Sequence, residues 1–389
     1  MKFFIKTYGC AQNQADSIIM KELLKKHGHS EANNESQAQI LIVNTCTVKT
    51  PTEHKIKRYL HDNSSKKIIV CGCMTATHKE FLKKYSLMGC NNLLDLPKAM
   101  KGKIMHSVSH KKISKVNLVP IGKNEVIEII PISNGCAGNC SYCATKLARG
   151  ELQSYPKKDI VAHAKNAIKR GKKELWITSQ DTGSYGLDLG TNLTELLDEL
   201  ISIPGFFKIR IGMMNPWHAK KLKKGLARIL NNEKCFKFIH IPIQSASNKI
   251  LKLMNRKYSK KDFEKLADYF RKEVKGIAIA TDAIVGFPGE TEKDYIQTYE
   301  LINKIKPEVL NISKYCDRPY TKSSMMKGKI SHEKIKERAA KLMGLHRKHI
   351  LKRKQDFKGF ALSDEKGFAR TSDYSKIKTK KALGEYYEV

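Results

Sequence analysis

Short apolar runs alternate with amphipathic stretches over residues 1–90. FFIKTYGC predicts a strand, and QADSIIMKELLKKHG places Ile18, Ile19, Leu23 and Leu24 on one helical face. ILIVNTC predicts a second strand. TPTEHKIKRYLHD then predicts a helix with Pro51 in its first turn, where a missing N–H is tolerated. KIIVCGC predicts a third strand and THKEFLKKYS a short helix. Strands separated by helices imply a parallel sheet with right-handed crossovers. Residues 91–124 are polar, Lys-rich and weakly patterned, and predict a linker with a few small elements.

A second alternation starts at Val126. Strands are predicted at VIEIIPI, ELWITSQ, FKIRIG, FKFIHIPI, IAIATDAIVG and VLNISKY, with helices over 156–171, 191–203, 218–231, 247–274 and 291–304. Six strands with intervening helices imply a partial, TIM-like parallel barrel, whose chemistry sits at the carboxyl ends of the strands. Residues 327–356 predict a basic helix, and FKGFAL, GFARTS, KIKTK and GEYYEV short strands after it. The fold class is therefore α/β. An N-terminal βαβ parallel-sheet domain (1–105) precedes a partial (β/α)6 barrel (125–326) and a short β-rich extension (327–389).

No apolar run approaches the roughly 20 residues needed to span a bilayer. The opening MKFFIKTYGCAQ is interrupted by Lys6 and Tyr8 before a signal-peptide core develops. These features predict a cytoplasmic protein with no membrane partner. The formal net charge of +35 changes the picture more, and it is densest in KLMGLHRKHILKRK (341–354), which holds no acid. Solvated surface charge is one reading of this excess; a polyanionic partner that releases counterions is the sharper one. Charge alone separates neither RNA from DNA nor either from an anionic membrane.

Ten cysteines in a large chain without a secretion signal point to metal ligation rather than a disulfide framework. NGCAGNCSYC spaces Cys136, Cys140 and Cys143 as C-x3-C-x2-C directly after the first barrel strand. Three thiolates at this spacing can hold three irons of a [4Fe–4S] cube and leave the fourth open to a substrate. Zinc is the competing reading, but no fourth Cys or His follows at zinc-ribbon spacing. Cys10, Cys46 and Cys73 each follow a predicted strand, and strand ends of a parallel sheet share one edge, so the three converge on one site. Buried structural thiols are the alternative. Cys71 alternates to the other face of its strand, Cys90 fits the pattern poorly, and Cys235 and Cys316 read as structural.

The C-x3-C-x2-C loop after a first barrel strand resembles the signature of the radical S-adenosylmethionine superfamily. With the N-terminal trio and the basic extension, nearly the whole chain resembles the methylthiotransferases. NTCTVKTP, NGCAGNCSYCATKLARGELQSYP, ITSQDTGSYGLDLGTNL, RIGMMNP, HIPIQSASNKIL, MNRKYS and TDAIVGFPGETEKDY are similar to the archaeal and eukaryotic branch that acts on threonylcarbamoyladenosine in tRNA.

The resemblance implies two [4Fe–4S] clusters, one on Cys136, Cys140 and Cys143 and one on Cys10, Cys46 and Cys73. It implies that S-adenosylmethionine chelates the open iron of the first and is cleaved to a 5′-deoxyadenosyl radical, while the second carries the sulfur. The implied product is a methylthio group at C2 of N6-threonylcarbamoyladenosine, at position 37 of tRNA. A carbon radical is needed because that C–H bond is not acidic. Ser179, Gln180, Asp181, Gln244, Ser245, Arg256 and Asp282 are implied contacts of S-adenosylmethionine, with the Gly286-Phe287-Pro288 turn against its adenine. The implied partners are tRNA, bound in part by a shortened C-terminal RNA-binding domain, and a flavodoxin- or ferredoxin-like reductant; the sulfur donor is not legible. Two departures stand out. Arg318-Pro319-Tyr320-Thr321 replaces the usual Arg-Pro-Gly-Thr, predicting a differently shaped loop, and the C-terminal RNA-binding domain is shortened, with 33 residues after Asp356. Arg149, just past the cysteine loop, reads as an RNA contact or a surface charge. Competing readings are a sister methylthiotransferase acting on isopentenyladenosine or on a ribosomal-protein aspartate, and a non-catalytic iron–sulfur RNA-binding protein.

Overall fold

The computed structural model describes residues 1–47, 50–118, 126–352 and 360–389. The N-terminal strands are β1 (Lys2–Thr7), β2 (Ser30–Glu31), β3 (Ile40–Thr45), β4 (Lys67–Gly72), β5 (Ser86–Met88) and β6 (His106–Ser107). They form one parallel sheet in the order β2-β1-β3-β4-β5-β6. Strict alternation along β3 sends Ile40 and Ile42 to one face, where helices α1 (Ala11–Lys26) and α5 (Leu96–Lys101) cover them. Leu41 and Val43 go to the other face, under α2 (Thr50–Asp62), α3 (Met74–Thr77) and α4 (Lys79–Leu82). The sheet is larger than the sequence pattern predicts. The segment read as a linker supplies α5 and β6, and the predicted helix THKEFLKKYS stops early so that its last residue opens β5. Both strands are too short to carry a periodic signal of their own.

The central strands are β7 (Ile127–Pro131), the short antiparallel pair β8 (Ser133–Asn134) and β9 (Gln153–Ser154), then β10 (Glu174–Thr178), β11 (Lys208–Ile211), β12 (Phe238–His240), β13 (Ala278–Val285) and β14 (Val309–Lys314). Two parallel three-stranded sheets, β7-β10-β11 and β12-β13-β14, meet through a parallel bridge between Ile209 and Cys235 and make an open six-stranded barrel. The helices are α6 (Thr145–Arg149), α7 (Lys157–Lys169), α8 (Leu193–Ile201), α9 (Pro216–Leu230), α10 (Asn248–Leu253), α11 (Lys260–Glu273) and α12 (Glu292–Ile305). One continuous apolar core joins the barrel interior, including Ile130, Ile177, Ile209, Ile239 and Ile279, to the inner helix faces. The single helix predicted over 247–274 is broken. Asn255 takes a left-handed φ of 56°, and Ser259 starts α11 with a capping box to Asp262.

After the barrel, α13 (His332–Lys352) is fixed by Arg338, which pairs with Glu290 and Glu292. Arg353 and Lys354, the end of the basic run, lie outside the described residues. The extension forms an antiparallel sheet of β15 (Phe360–Glu365), β16 (Phe368–Thr371), β17 (Lys376–Lys378) and β18 (Tyr386–Glu388), ordered β17-β16-β15-β18. It packs on the amino ends of the barrel strands. Leu362 joins Val126, Phe236 and Ala278 in one cluster, and the Arg210 guanidinium sits 5.3 Å from the Tyr374 ring and 5.4 Å from the Trp176 ring. The opposite, carboxyl-end rim stays open.

Candidate functional site

Cys136, Cys140 and Cys143 lie in the loop between β8 and α6. Each sulfur receives one N–H donor. Gly138 N is 3.2 Å from Cys136 Sγ, Arg256 Nη1 is 3.2 Å from Cys140 Sγ, and Thr145 N is 3.4 Å from Cys143 Sγ. The helix break makes this possible, because carbonyls freed there are turned to the loop. Leu253 O accepts from Ser141 Oγ at 2.8 Å and Met254 O from Ser141 N at 3.1 Å, while Asn255 Nδ2 reaches Asn139 O at 2.7 Å. Gly135 is obligatory here, since φ is 74° and a Cβ would meet Glu151 O at 1.9 Å. Burial pushes the Cys136 thiol up to about 12 and raises Cys143 too, so any metal held by these sulfurs would have to displace their protons.

The second set lies along one edge of the N-terminal sheet. Cys10 caps α1 beyond β1, while Cys46 and Cys73 directly follow β3 and β4. A Cβ on Gly9 would stand 3.1 Å from Cys46 Cβ, so the Cys10 turn lies against Cys46. Gln12, in the first turn of α1, is buried with neither amide atom partnered among the described residues. No group of three or more His, Cys, Asp or Glu side chains among the described residues is arranged to hold a single metal ion.

The sequence reading set Cys90 apart from the strand-end pattern, and the structure places it at the same edge. It follows the three-residue β5 and brings its sulfur to 3.8 Å from Cys73 Sγ. Cys71, by contrast, points to the other face and into the core, as the alternation predicts.

Between the two cysteine sets lies a buried ion triad. Asp16 Oδ1 accepts from Lys115 Nζ at 2.6 Å and Asp16 Oδ2 from Arg149 Nη2 at 2.9 Å, with all three side chains 2% exposed. Burial favours the neutral acid, but the two cations outweigh it and hold Asp16 below its ordinary range. The triad keeps one surplus positive charge beside the N-terminal cysteines, which suits an anionic thiolate-ligated group. The reading of Arg149 as an RNA contact or surface charge is corrected here. Its guanidinium is turned inward to Asp16, Asn13 and Asn134, and binds the N-terminal domain to the cluster loop.

A cavity of about 310 Å³ opens at the carboxyl rim of the barrel; Cys143 lines it, and from the N-terminal domain Thr47, the neighbour of Cys46, does so. Gln244 and Asp282 also line it. Gln244 holds a left-handed φ of 66° and bridges Ala283 on β13. Asp282 Oδ1 accepts from His240 Nε2 at 3.0 Å and from Asn311 Nδ2 at 2.7 Å. His240 and Asn311 were not singled out from the sequence. Their signal is register, because Asp282 pairs with Asn311, and Ala280, two residues earlier, pairs with His240. Of the other predicted contacts, Gln180 keeps a buried Oε1 without a partner among the described residues. Asp181 is engaged by His218 Nδ1 at 2.9 Å and Asn215 N at 3.0 Å, and Ser179 Oγ accepts from Asp181 N at 3.1 Å. Ser245 is fully buried and accepts from Ser247 N at 3.2 Å. Arg256 lies in the helix break rather than on a helix, held by Cys140 and Tyr258.

The loop after β14 lines this cavity with Tyr315, Cys316 and Arg318. Tyr320 does adopt the glycine-like geometry that the sequence reading denied it, with φ 65° and 68% exposure. The neighbouring contacts impose it: Thr321 N bonds Arg318 O, Ser323 N bonds Ser141 O, and Arg318 Nη1 is 2.6 Å from Glu53 Oε2. Tyr320→Gly should therefore stabilise the protein by about 1 kcal/mol in denaturant titrations; a loss of stability would show that the side chain packs after all.

Glu53 also accepts from His78 at 3.0 Å and pairs with Lys57 at 2.7 Å. The His78 hydrogen bond, with Lys57, holds its carboxyl at about 2, against an ordinary 4.5. A depressed carboxyl stabilises the fold above its unfolded value and loses that contribution as pH falls through the folded one. On the order of 3 kcal/mol is therefore lost between about pH 4.5 and pH 2. Urea titrations from pH 6 to pH 3 should show a shallower decline for Glu53→Gln than for the parent; parallel curves would remove Glu53 as the cause.

Comparison with known proteins places this geometry. Residues 130–302 match the Radical SAM superfamily, and residues 2–89 match Uncharacterized protein family UPF0004. A probable threonylcarbamoyladenosine tRNA methylthiotransferase of Pyrococcus horikoshii is 40% identical over 82% of this chain and 78% of its own length. The chain belongs to the threonylcarbamoyladenosine tRNA methylthiotransferase family. An Archaeoglobus fulgidus relative described in the same words is 37% identical over 100% of this chain and 95% of its own. The human threonylcarbamoyladenosine tRNA methylthiotransferase is 38% identical over 84% of this chain and 59% of its own. Solved structures share the fold at low identity. A radical S-adenosylmethionine methyltransferase from Kitasatospora setae aligns with TM-score 0.60 and 14% identity over 83% of this chain and 75% of its own. A cobalamin-dependent S-adenosylmethionine radical enzyme aligns with TM-score 0.57 and 12% identity, over 91% and 56%.

Proposed function

We propose that this methylthiotransferase-family chain adds a methylthio group to C2 of N6-threonylcarbamoyladenosine in tRNA. One [4Fe–4S] cluster would be held on Cys136, Cys140 and Cys143 and a second on Cys10, Cys46 and Cys73. The observation that carries the reading is a cavity lined by Cys143 of one cysteine set and by Thr47, the residue next to Cys46 of the other. A base seated there would meet Cys143 and approach the N-terminal set through Thr47. When bound, the clusters and S-adenosylmethionine supply a carbon radical able to take hydrogen from an unactivated C–H bond, together with the sulfur and the methyl group.

The chain's own residues do the rest. Arg256 and the amides of Gly138 and Thr145 offset thiolate charge and fix the loop. Gln180, Gln244 and Asp282 present polar atoms to S-adenosylmethionine, the orphaned Gln180 carbonyl being suited to an amino group. Ser179, Asp181 and Ser245 position their strand ends through internal bonds. His240 and Asn311 orient the Asp282 carboxylate. The reductant is a flavodoxin- or ferredoxin-like carrier. Among the described residues no helix is long and apolar enough to cross a membrane, in keeping with work in the cytoplasm on tRNA.

Nucleoside mass spectrometry of tRNA, before and after anaerobic incubation with S-adenosylmethionine and reductant, tests this. A methylthio mass gain on threonylcarbamoyladenosine is the expected outcome. A gain on isopentenyladenosine would assign the sister activity, and 5′-deoxyadenosine absent throughout would leave only an RNA-binding protein.

A further inference from the structure

We infer that Cys90 is a resolving thiol for Cys73: in the cluster-free protein, peroxide-oxidised Cys73 is captured as a Cys73–Cys90 disulfide. The inference takes Cys73 to be a cluster ligand, as proposed above. It starts from sheet register. β4 and β5 pair in parallel with Ile69 opposite Ser86 and Cys71 opposite Met88, and Cys73 and Cys90 lie just beyond the ends of these two neighbouring strands. The sulfurs are 3.8 Å apart, in one buried cluster with the small side chains of Ala76 and Ala148. A disulfide requires that gap to close to a bond of about 2.05 Å. Cys90 has no part in the proposed ligand trio, yet its sulfur contacts one member of it.

The chemistry balances with hydrogen peroxide as oxidant. The O–O bond breaks, one oxygen passes to the Cys73 sulfur as a sulfenic acid, and the other leaves as water. The Cys90 sulfur then attacks the sulfenic sulfur, forming the S–S bond and releasing a second water. Two thiols give up two electrons and two protons, and one peroxide becomes two waters. A small uncharged oxidant is required because Cys73 and Cys90 are only 6% and 1% exposed. Iron on Cys73 suppresses the reaction by occupying the sulfur. Without Cys90, a second peroxide carries the sulfenic acid to a sulfinic acid that dithiols do not reduce. The pair thus converts damage to a ligand into a reversible block on cluster rebuilding.

The test uses the full-length chain stripped of iron by a chelator. It is treated with hydrogen peroxide, mapped by non-reducing peptide mass spectrometry, and then given dithiothreitol, iron and sulfide. The parent should show a Cys73–Cys90 peptide and regain about eight irons per chain. Cys90→Ser should carry sulfinic acid at Cys73 and regain about half as much. A Cys73 link to Cys46 or Cys10, or equal recovery in Cys90→Ser, would overturn the inference. Unoxidised parent that loads only about four irons would instead count against the two-cluster reading, and the peptide map still decides the thiol pair.

Discussion

Replacing Cys136, Cys140 and Cys143 together with alanine should cut reconstituted iron from about eight to about four per chain and abolish 5′-deoxyadenosine formation. Iron is counted colorimetrically and the nucleoside by chromatography, with S-adenosylmethionine and dithionite supplied. The effect should be complete because Cys316, which lines the same cavity as Cys143, is a single thiol and cannot stand in for three. The three sulfurs take their N–H donors from Gly138, Thr145 and Arg256. The remaining four irons should be lost when Cys10, Cys46 and Cys73 are replaced as well. Iron unchanged in the first variant would mean that the loop binds none.

The second large effect concerns stability. Asp16→Asn keeps the shape of the side chain but leaves Lys115 and Arg149, each 2% exposed, without their shared anion. An uncompensated buried charge of this kind costs about 3–5 kcal/mol. Guanidinium unfolding should show that loss at neutral pH, and adding Lys115→Met should recover part of it by removing one of the two stranded cations. The folded Asp16 carboxyl lies below its ordinary 3.8, so its contribution is present above that value and fades as pH falls. The parent–variant difference should therefore narrow in acid. A neutral-pH difference under about 1 kcal/mol would mean that the triad is not what joins the N-terminal domain to the cluster loop.

Similarity to solved structures extends over most of the chain although identity there is 12–14%, so the shared property is architecture. Within that architecture this chain carries a row of cysteines. Four of them, Cys10, Cys46, Cys73 and Cys90, stand beyond the ends of four adjacent strands, β1, β3, β4 and β5.

Local spacing alone brought Cys136, Cys140 and Cys143 together, because they fall within eight residues and the backbone between them cannot stray far. Periodicity determined the two parallel alternations: β3 is buried on both faces and reads as an apolar run, while β11 alternates buried Ile209 and Ile211 with half-buried Lys208 and Arg210. Partners distant in sequence were decided only by packing. Arg149 meets Asp16 from 133 residues away, and Arg256 reaches Cys140 across 116. Nothing local distinguishes an arginine bound for such a site from one bound for solvent. Cys90 fitted the pattern poorly because the strand before it is three residues long, and a strand that short takes its place from neighbours in the sheet. Tyr320 shows the same limit in the backbone, where residue preference disfavours a left-handed angle and the contacts of the flanking residues impose it.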